Sequence, residues 1–251
     1  MPLVASEHNC IAWPDENHDT AARAHAPRLA RMFAHGPAAT AWAREIGVPA
    51  ERLEGGESPV EGFDDTPVAG LQEPRITFTG RLMADKAPDV LVEALARMPD
   101  PPATYVLGDG VLRGALRDRA AALGLGTVVR FPGWQPQPGR WVAGAAVHCV
   151  PSREEAWSQS AVLAMGLGVP VVGTDVEGLP DTLGQDRGLL VPPEDPDALA
   201  AALDAVLRGE RTTDIAGAQA YARRFAPARV AARYAAVYRD ILAGEPELLP
   251  A

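Results

Sequence analysis

From residue 75 onward, short apolar runs alternate with longer segments whose apolar positions recur at helical spacing. Residues 75–79, 103–107, 127–131, 146–150, 169–173 and 188–191 read as strands, because each is a brief run of mostly apolar or β-branched groups bounded by polar or glycine-bearing turns. Between them, residues 88–97, 111–123, 138–144 and 197–208 read as helices. The first would place Val90, Leu91, Ala94, Leu95 and Met98 inward. The last follows Glu194, Asp195 and Pro196, an acid-then-proline start suited to a helix N-terminus. Strands alternating with helices imply right-handed crossovers and a parallel sheet covered by helices on both faces, a Rossmann-like α/β class. Such sheets take their ligands beyond the carboxyl ends of the strands.

The flanks are less regular. Residues 1–9 begin apolar and then turn polar through Ser6, Glu7 and His8, as a strand does on entering a loop. Residues 10–19 are turn-like. Residues 20–34 have helical spacing through Ala22, Leu29, Met32 and Phe33, divided by Pro27, and residues 38–47 suggest a short helix closed by Gly47. Residues 55–71, with glycine, proline and acids, read as a linker. Residues 213–244 read as mostly helical, with Tyr221, Phe225, Val230, Tyr234, Val237, Tyr238 and Ile241 apolar. Three parts follow from this pattern: 1–65, 66–212 and 213–251.

Composition narrows the classes of function. The chain has 251 residues, 47% of them hydrophobic, enough for a sizeable core. A formal charge of −10 argues against a general binder of nucleic-acid phosphates, which presents a basic surface. Cys10 and Cys149 stand far apart, without metal-ligand spacing, and suit a reducing compartment. The apolar run at 141–150 is about half the length of a membrane helix, and no basic region followed by an apolar block opens the chain. A soluble, cytoplasmic protein is the expectation.

Candidate chemistry gathers in residues 149–181, which read as strand end, polar loop, apolar helix, strand and second loop. Ser158 can cap the helix, whose first N–H groups and positive dipole end would favour an anion such as phosphate. Glu155, just before it, is a costly neighbour for an anion unless it faces a sugar hydroxyl or a developing positive charge. After the strand at 75–79, Gly80 permits a tight turn, while Arg81 and Lys86 can place two cations over one pocket, as a diphosphate requires. The same residues also suit a solvated surface turn. Gly108 and Gly110 end the second strand and Gly133 and Trp134 the third, where a planar base could approach, although glycine there is common for steric reasons alone. The Asp195-Pro196-Asp197 sequence has a metal-binding look but is explained by helix capping. No other cluster of His, Cys and carboxylates suggests a metal. His148 lies within an apolar strand and reads as packing, whereas His8, at a strand end, is the histidine better placed for chemistry.

Taken together, GRLMADKAPDVLVEAL, YVLGDGVLRGAL, VVRFPGW, VPSREEAW, AMGLGVPVVGTDVEGLPDTL and RGLLVPPEDPDALAAAL, in this order and spacing, resemble the C-terminal half of a GT-B glycosyltransferase of family 4. The resemblance covers residues 75 to about 207 and implies retaining transfer of a sugar from a nucleotide-diphosphate sugar, without a metal or other cofactor. It implies that Arg81 and Lys86, with Gly80, Gln159 and Ser160, hold the donor diphosphate. Glu155 would face the transferred sugar, with Trp157 and Ser158 beside it. Gly108, Gly133 and Trp134 would line the base and ribose, and His8 would lie near the acceptor.

Two features depart from the family pattern. The second glutamate of its E-x7-E signature, which would hold the ribose hydroxyls, is absent: counting on from Glu155 reaches Leu163, and from Glu154 reaches Val162. A deoxyribose donor of the dTDP type, rather than UDP, or weakened donor affinity would follow. Residues 1–65 also resemble only the last portion of an N-terminal acceptor-side domain, so the GT-B fold is expected to be incomplete. A truncated gene model, a remnant, or half of a split enzyme would account for this, with a partner chain or a homo-oligomer covering the rest. A nucleotide-sugar binding module without turnover and a sugar-nucleotide epimerase of the same architecture are the alternatives. An NAD-dependent oxidoreductase fits least, since GRLMADK stands where a glycine fingerprint would be.

Overall fold

The computed structural model describes residues 2–7 and 16–243, with only the backbone described at 16–19. The chain divides into two compact units, one formed by Met1–Pro59 with Phe225–Ala251 and the other by Val60–Arg224.

In the first unit, β1 (Leu3–Glu7), β2 (Leu29–Ala34) and β3 (Leu53–Gly55) form a parallel three-stranded sheet in that order, accompanied by α1 (Glu16–His25) and α2 (Gly36–Glu45). The helical spacing expected to run through residue 34 stops short: Leu29–Ala34 is a strand. Pro27 ends the helix in a tight turn, Ala26–Arg28, and Arg52 Nη1 donates to the carbonyls of Pro27 in that turn and of Leu29 just after it. Beyond it, LARMFA gains parallel partners on both sides, and that pairing outweighs a helical spacing that depends on few apolar groups.

The second unit carries β4 (Arg75–Thr79), α3 (Pro88–Leu95), β5 (Ala103–Leu107), α4 (Arg113–Ala122), β6 (Val129–Gly133), α5 (Gly139–Val142), β7 (Val147–Val150), α6 (Gln159–Gly166), β8 (Val171–Thr174), α7 (Leu179–Leu183), β9 (Leu189–Val191), α8 (Pro196–Leu207) and α9 (Ile215–Ala222). Its six strands are all parallel, in the order β6-β5-β4-β7-β8-β9. Ile76, Phe78, Val106, Val147 and Val172 share one buried cluster with Leu91, Leu95, Leu116, Leu199 and Leu203 from α3, α4 and α8. Residues 161–166 of α6 are buried throughout, the signature of a helix enclosed on all sides rather than lying on a surface. His148 is a packing residue, as its apolar strand suggested: Nδ1 lies 2.9 Å from Thr77 Oγ1, and burial pushes its pKa down to about 3, so the ring is neutral.

Helix α7 is an element the expected glycine-bearing loop did not include. The tail expected as one stretch from residue 213 is split: α9 packs on α6, while α10 (Pro227–Ala243) belongs to the first unit. There Tyr234 stacks on Phe33 with ring centroids 4.2 Å apart, and Arg233 pairs with Glu57. Among the described residues no helix is long and apolar enough to cross a membrane.

Candidate functional site

The strand order of the larger sheet reverses between β4 and β7, the switch point at which parallel α/β sheets form a ligand crevice beyond the carboxyl ends of their strands. Residues 80–87 form one wall and residues 151–158 the other. Backbone contacts hold the loops on the β4 side together, with Arg113 adding side-chain bonds to Phe131 O at 3.3 Å and Asp109 Oδ2 at 3.2 Å. Gly80 N donates to Leu107 O at 3.1 Å, Leu82 N to Asp109 O at 2.9 Å and Gly108 N to Gly133 O at 3.0 Å. Gly108 has φ +127, and a Cβ there would lie 1.9 Å from Gly80 O, so only glycine allows this approach.

Charged side chains dominate the crevice. Lys86 ends a tight turn, Ala84–Lys86, and its Nζ lies 3.0 Å from Glu155 Oε2 and 3.2 Å from Glu154 O. Glu155 is 8% exposed, and Ser152 Oγ donates to the same Oε2 at 3.2 Å. Burial raises its pKa; Lys86 and Ser152 offset this in part, leaving the carboxyl above the usual range. Oε1 carries no such bond among the described residues. Arg81 is mostly exposed, and its Nη2 lies 2.8 Å from Asp85 Oδ2. Lys86 Nζ is 3.6 Å from that same oxygen. The two cations thus flank one carboxylate oxygen, a pairing of charges that a phosphate oxygen would also satisfy.

Sequence reasoning missed one member of each wall. Asp85 holds the two cations together, and Arg153 ties the crevice walls. Arg153 N and Glu154 N donate to Asp85 O at 2.8 and 3.2 Å. The Arg153 guanidinium binds Asp89 through two bonds of 2.9 and 2.7 Å, Ala84 O at 2.8 Å, and the Glu194 carboxylate. Desolvation opposes ionisation of Asp89, but Arg153 outweighs it and holds that carboxyl below the usual range. No spacing around Arg153 signals this, because Asp89 lies in the first turn of α3 and Glu194 in the loop before α8.

At the start of α6, Ser158 Oγ accepts from Ala161 N at 3.3 Å and lies 3.2 Å from Ser160 Oγ, so the expected cap forms. Gln159 is exposed and Ser160 half-buried at this helix end. The half-buried Trp157 is tied to Tyr221, whose phenol is raised by burial and hydrogen-bonds the Trp157 and Thr182 side chains. Leu163 is 6% exposed in α6. Trp134 stands 71% exposed just beyond Gly133 at the end of β6. The structure therefore brings Arg81, Lys86 and Glu155 together, with Gly80, Gly108 and Gly133 beneath the adjoining loops. His8 lies outside the described residues. Asp195 is a helix cap, accepting from Asp197 N at 3.1 Å and Ala198 N at 2.9 Å. Among the described residues no group of three or more His, Cys, Asp or Glu is placed to hold a metal.

Residues 73–209, more than half of the chain, match the family model described as glycosyl transferases group 1. The chain belongs to that family. Among curated relatives, the D-inositol 3-phosphate glycosyltransferase of Jonesia denitrificans is 35% identical over 178 residues, covering 65% of this chain and 42% of that protein. The protein of the same name from Xylanimonas cellulosilytica is 37% identical over 177 residues, covering 67% and 42%. The chain thus spans about two fifths of the length of these relatives. Among solved structures, Anabaena HepE in complex with UDP superposes with a TM-score of 0.82 at 20% identity, covering 95% of this chain and 72% of that one. Sucrose-phosphate synthase from Thermosynechococcus elongatus gives 0.77 at 24%, covering 96% and 68%. These likenesses establish the fold as part of a GT-B architecture, the α/β class expected from the strand and helix alternation.

Proposed function

We propose that the larger unit is the donor side of a glycosyltransferase that moves a sugar from a nucleotide-diphosphate sugar to an acceptor hydroxyl with retention of configuration. The observation that carries this reading is the crevice at the β4–β7 reversal, where Arg81 and Lys86 share one Asp85 oxygen and a buried Glu155 stands against Lys86. HepE has been solved with UDP and with UDP-glucose, which supports a nucleotide-sugar donor here.

In this scheme the donor diphosphate replaces the Asp85 carboxylate between Arg81 and Lys86, and the N–H groups at Gln159 and Ser160 take further phosphate oxygens. Gly80 lets the diphosphate approach the backbone. Glu155 accepts from a sugar hydroxyl through Oε1, with Trp157 and Ser158 bounding the sugar. Gly108, Gly133 and Trp134 bound the base. The bond from the anomeric carbon to the diphosphate oxygen breaks, and its electron pair leaves with the diphosphate, whose growing charge the two cations stabilise. The acceptor oxygen bonds to the anomeric carbon on the same face, and its proton passes to the departing phosphate oxygen. His8 is assigned to the acceptor side. No step needs a divalent metal.

Leu163 leaves the ribose without a carboxylate partner, and an apolar side chain there avoids burying an acid. A deoxyribose donor suits that surface. Calorimetry with UDP and dTDP tests the point: dTDP should bind at least as tightly, and a clear preference for UDP removes the deoxyribose assignment. For the whole reading, Glu155→Gln should abolish transfer while sparing nucleotide binding; unchanged turnover removes Glu155 from the mechanism. Nucleotide binding without transfer from any donor would instead favour a binding module.

A further inference from the structure

Glu155 is held by more than its carboxylate. Its backbone N–H donates to Glu177 Oε2 at 2.9 Å, and its carbonyl accepts from Gly178 N at 2.9 Å. Both main-chain polar groups of the residue are thus taken by consecutive residues of the loop between β8 and α7. The same strand end also reaches the segment through Thr174 Oγ1, which donates to Ser152 O at 2.6 Å. The loop also lies close against the same segment: a Cβ at Gly178 would lie 1.9 Å from Ala156 O, so glycine is required there.

Glu177 adopts φ +42, the left-handed region that a residue with a Cβ enters only against steric opposition. Glycine would take this conformation without strain. Glu177 is exposed, and among the described residues no basic side chain pairs with it, so a surface ion pair does not account for a glutamate here. What its carboxylate does is close the bond to the Glu155 N–H. Observed strain at a residue whose one specific contact is to a site residue points to function at that site.

We propose that Glu177 is a positioning residue for Glu155: together with Gly178 it fixes the Glu155 backbone, so that Oε2 stays against Lys86 and Ser152 while Oε1 is presented to the donor sugar. This rests on the reading of Glu155 as the sugar-facing group. Through Glu177 the chain exchanges local backbone comfort for a set direction of one carboxylate.

The test compares the parent with Glu177→Gly and Glu177→Gln by thermal unfolding and by calorimetry with UDP and UDP-glucose, and in parallel with dTDP and dTDP-glucose, a gain from the sugar in either series serving as the reference. Glu177→Gly should melt at or above the parent temperature, since glycine relieves the left-handed strain. It should keep nucleotide affinity within about twofold but lose about tenfold of the extra affinity that the glucose confers. Glu177→Gln, whose amide oxygen still accepts the N–H, should retain most of that gain. Equal losses for the nucleotide and its glucose derivative, no loss for either, or a glutamine variant as impaired as the glycine one would overturn the proposal. Should the parent show no gain from the sugar in either series, the sugar-facing reading of Glu155 fails by itself. The positioning claim is then judged on hydrogen exchange of the Glu155 amide. Exchange about tenfold faster or more in Glu177→Gly at unchanged melting temperature upholds it; unchanged exchange overturns it.

Discussion

The crevice between β4 and β7 and the adjoining loops after β5 and β6 sit at the same end of one sheet, yet they are held by different means. The crevice is fastened by charged side chains: Lys86 with Glu155, Arg81 with Asp85, and Arg153 with Asp89 and Glu194. Across β4, β5 and β6 the loops are joined chiefly by backbone N–H to carbonyl bonds and by the absence of a side chain at Gly108, with Arg113 the one charged group reaching across, to Phe131 O, among the described residues. Their large side chains, Val111 and Trp134, project outward instead. A region fastened by charges can rearrange when a charged ligand arrives, because an anion can replace one carboxylate by another. A region fastened by backbone cannot, and it offers a rigid surface. One end of the sheet thus suits a diphosphate and a sugar, the other a flat base.

The comparison breaks most severely at Gly108. Glycine to alanine at this position meets both a forbidding φ and the Gly80 carbonyl, and should lower unfolding stability by about 3 kcal/mol in denaturant titrations. Lys86→Met should cost less, about 2 kcal/mol, because it leaves the buried Glu155 carboxylate without its cation while the acid can still take up a proton. The Glu155 carboxyl should then titrate higher than in the parent, measurable by NMR.

Glu155→Gln has the opposite sign. With its carboxyl raised in the folded state, Glu155 weakens folding as pH climbs from the ordinary glutamate range through the raised value, and the cost is complete above that value. The glutamine variant should therefore be more stable than the parent at pH 7 by about 1 kcal/mol. Its advantage should disappear as pH falls below the ordinary glutamate range, where both forms are neutral. Trp134→Ala has the smallest effect on stability, about 0.5 kcal/mol or less, since the ring is exposed. Its nucleotide affinity should nevertheless fall about tenfold by calorimetry, because a stacking face is lost.

Much of the larger unit was legible in the sequence because its signals are local. Apolar runs closed by glycine mark β4 and β5, an apolar run closed by Pro151 and Ser152 marks β7, and Asp195-Pro196 marks the start of α8. The cap at Ser158 followed from the same loops, whereas the ion pair between Lys86 and Glu155 did not, because their charges were each read toward a ligand rather than toward one another. What escaped depends on partners distant in the chain. Leu29–Ala34 becomes a strand only because β1 and β3 flank it. The place of α10 follows from Phe33 and Glu57, far back in the sequence. Arg153 joins Asp89 to Glu194, and Glu177 reaches Glu155 across two strands' loops; neither bond has a spacing to be read.

The central claim, that the β4–β7 crevice holds a nucleoside diphosphate, is tested most directly by mapping amide chemical-shift changes as UDP or dTDP is titrated into the intact chain. The shifts should concentrate at residues 80–86, 133–134 and 158–160, and should be largely lost at residues 80–86 in Lys86→Met. Saturable binding with shifts elsewhere, or no shifts at millimolar nucleotide, would contradict it.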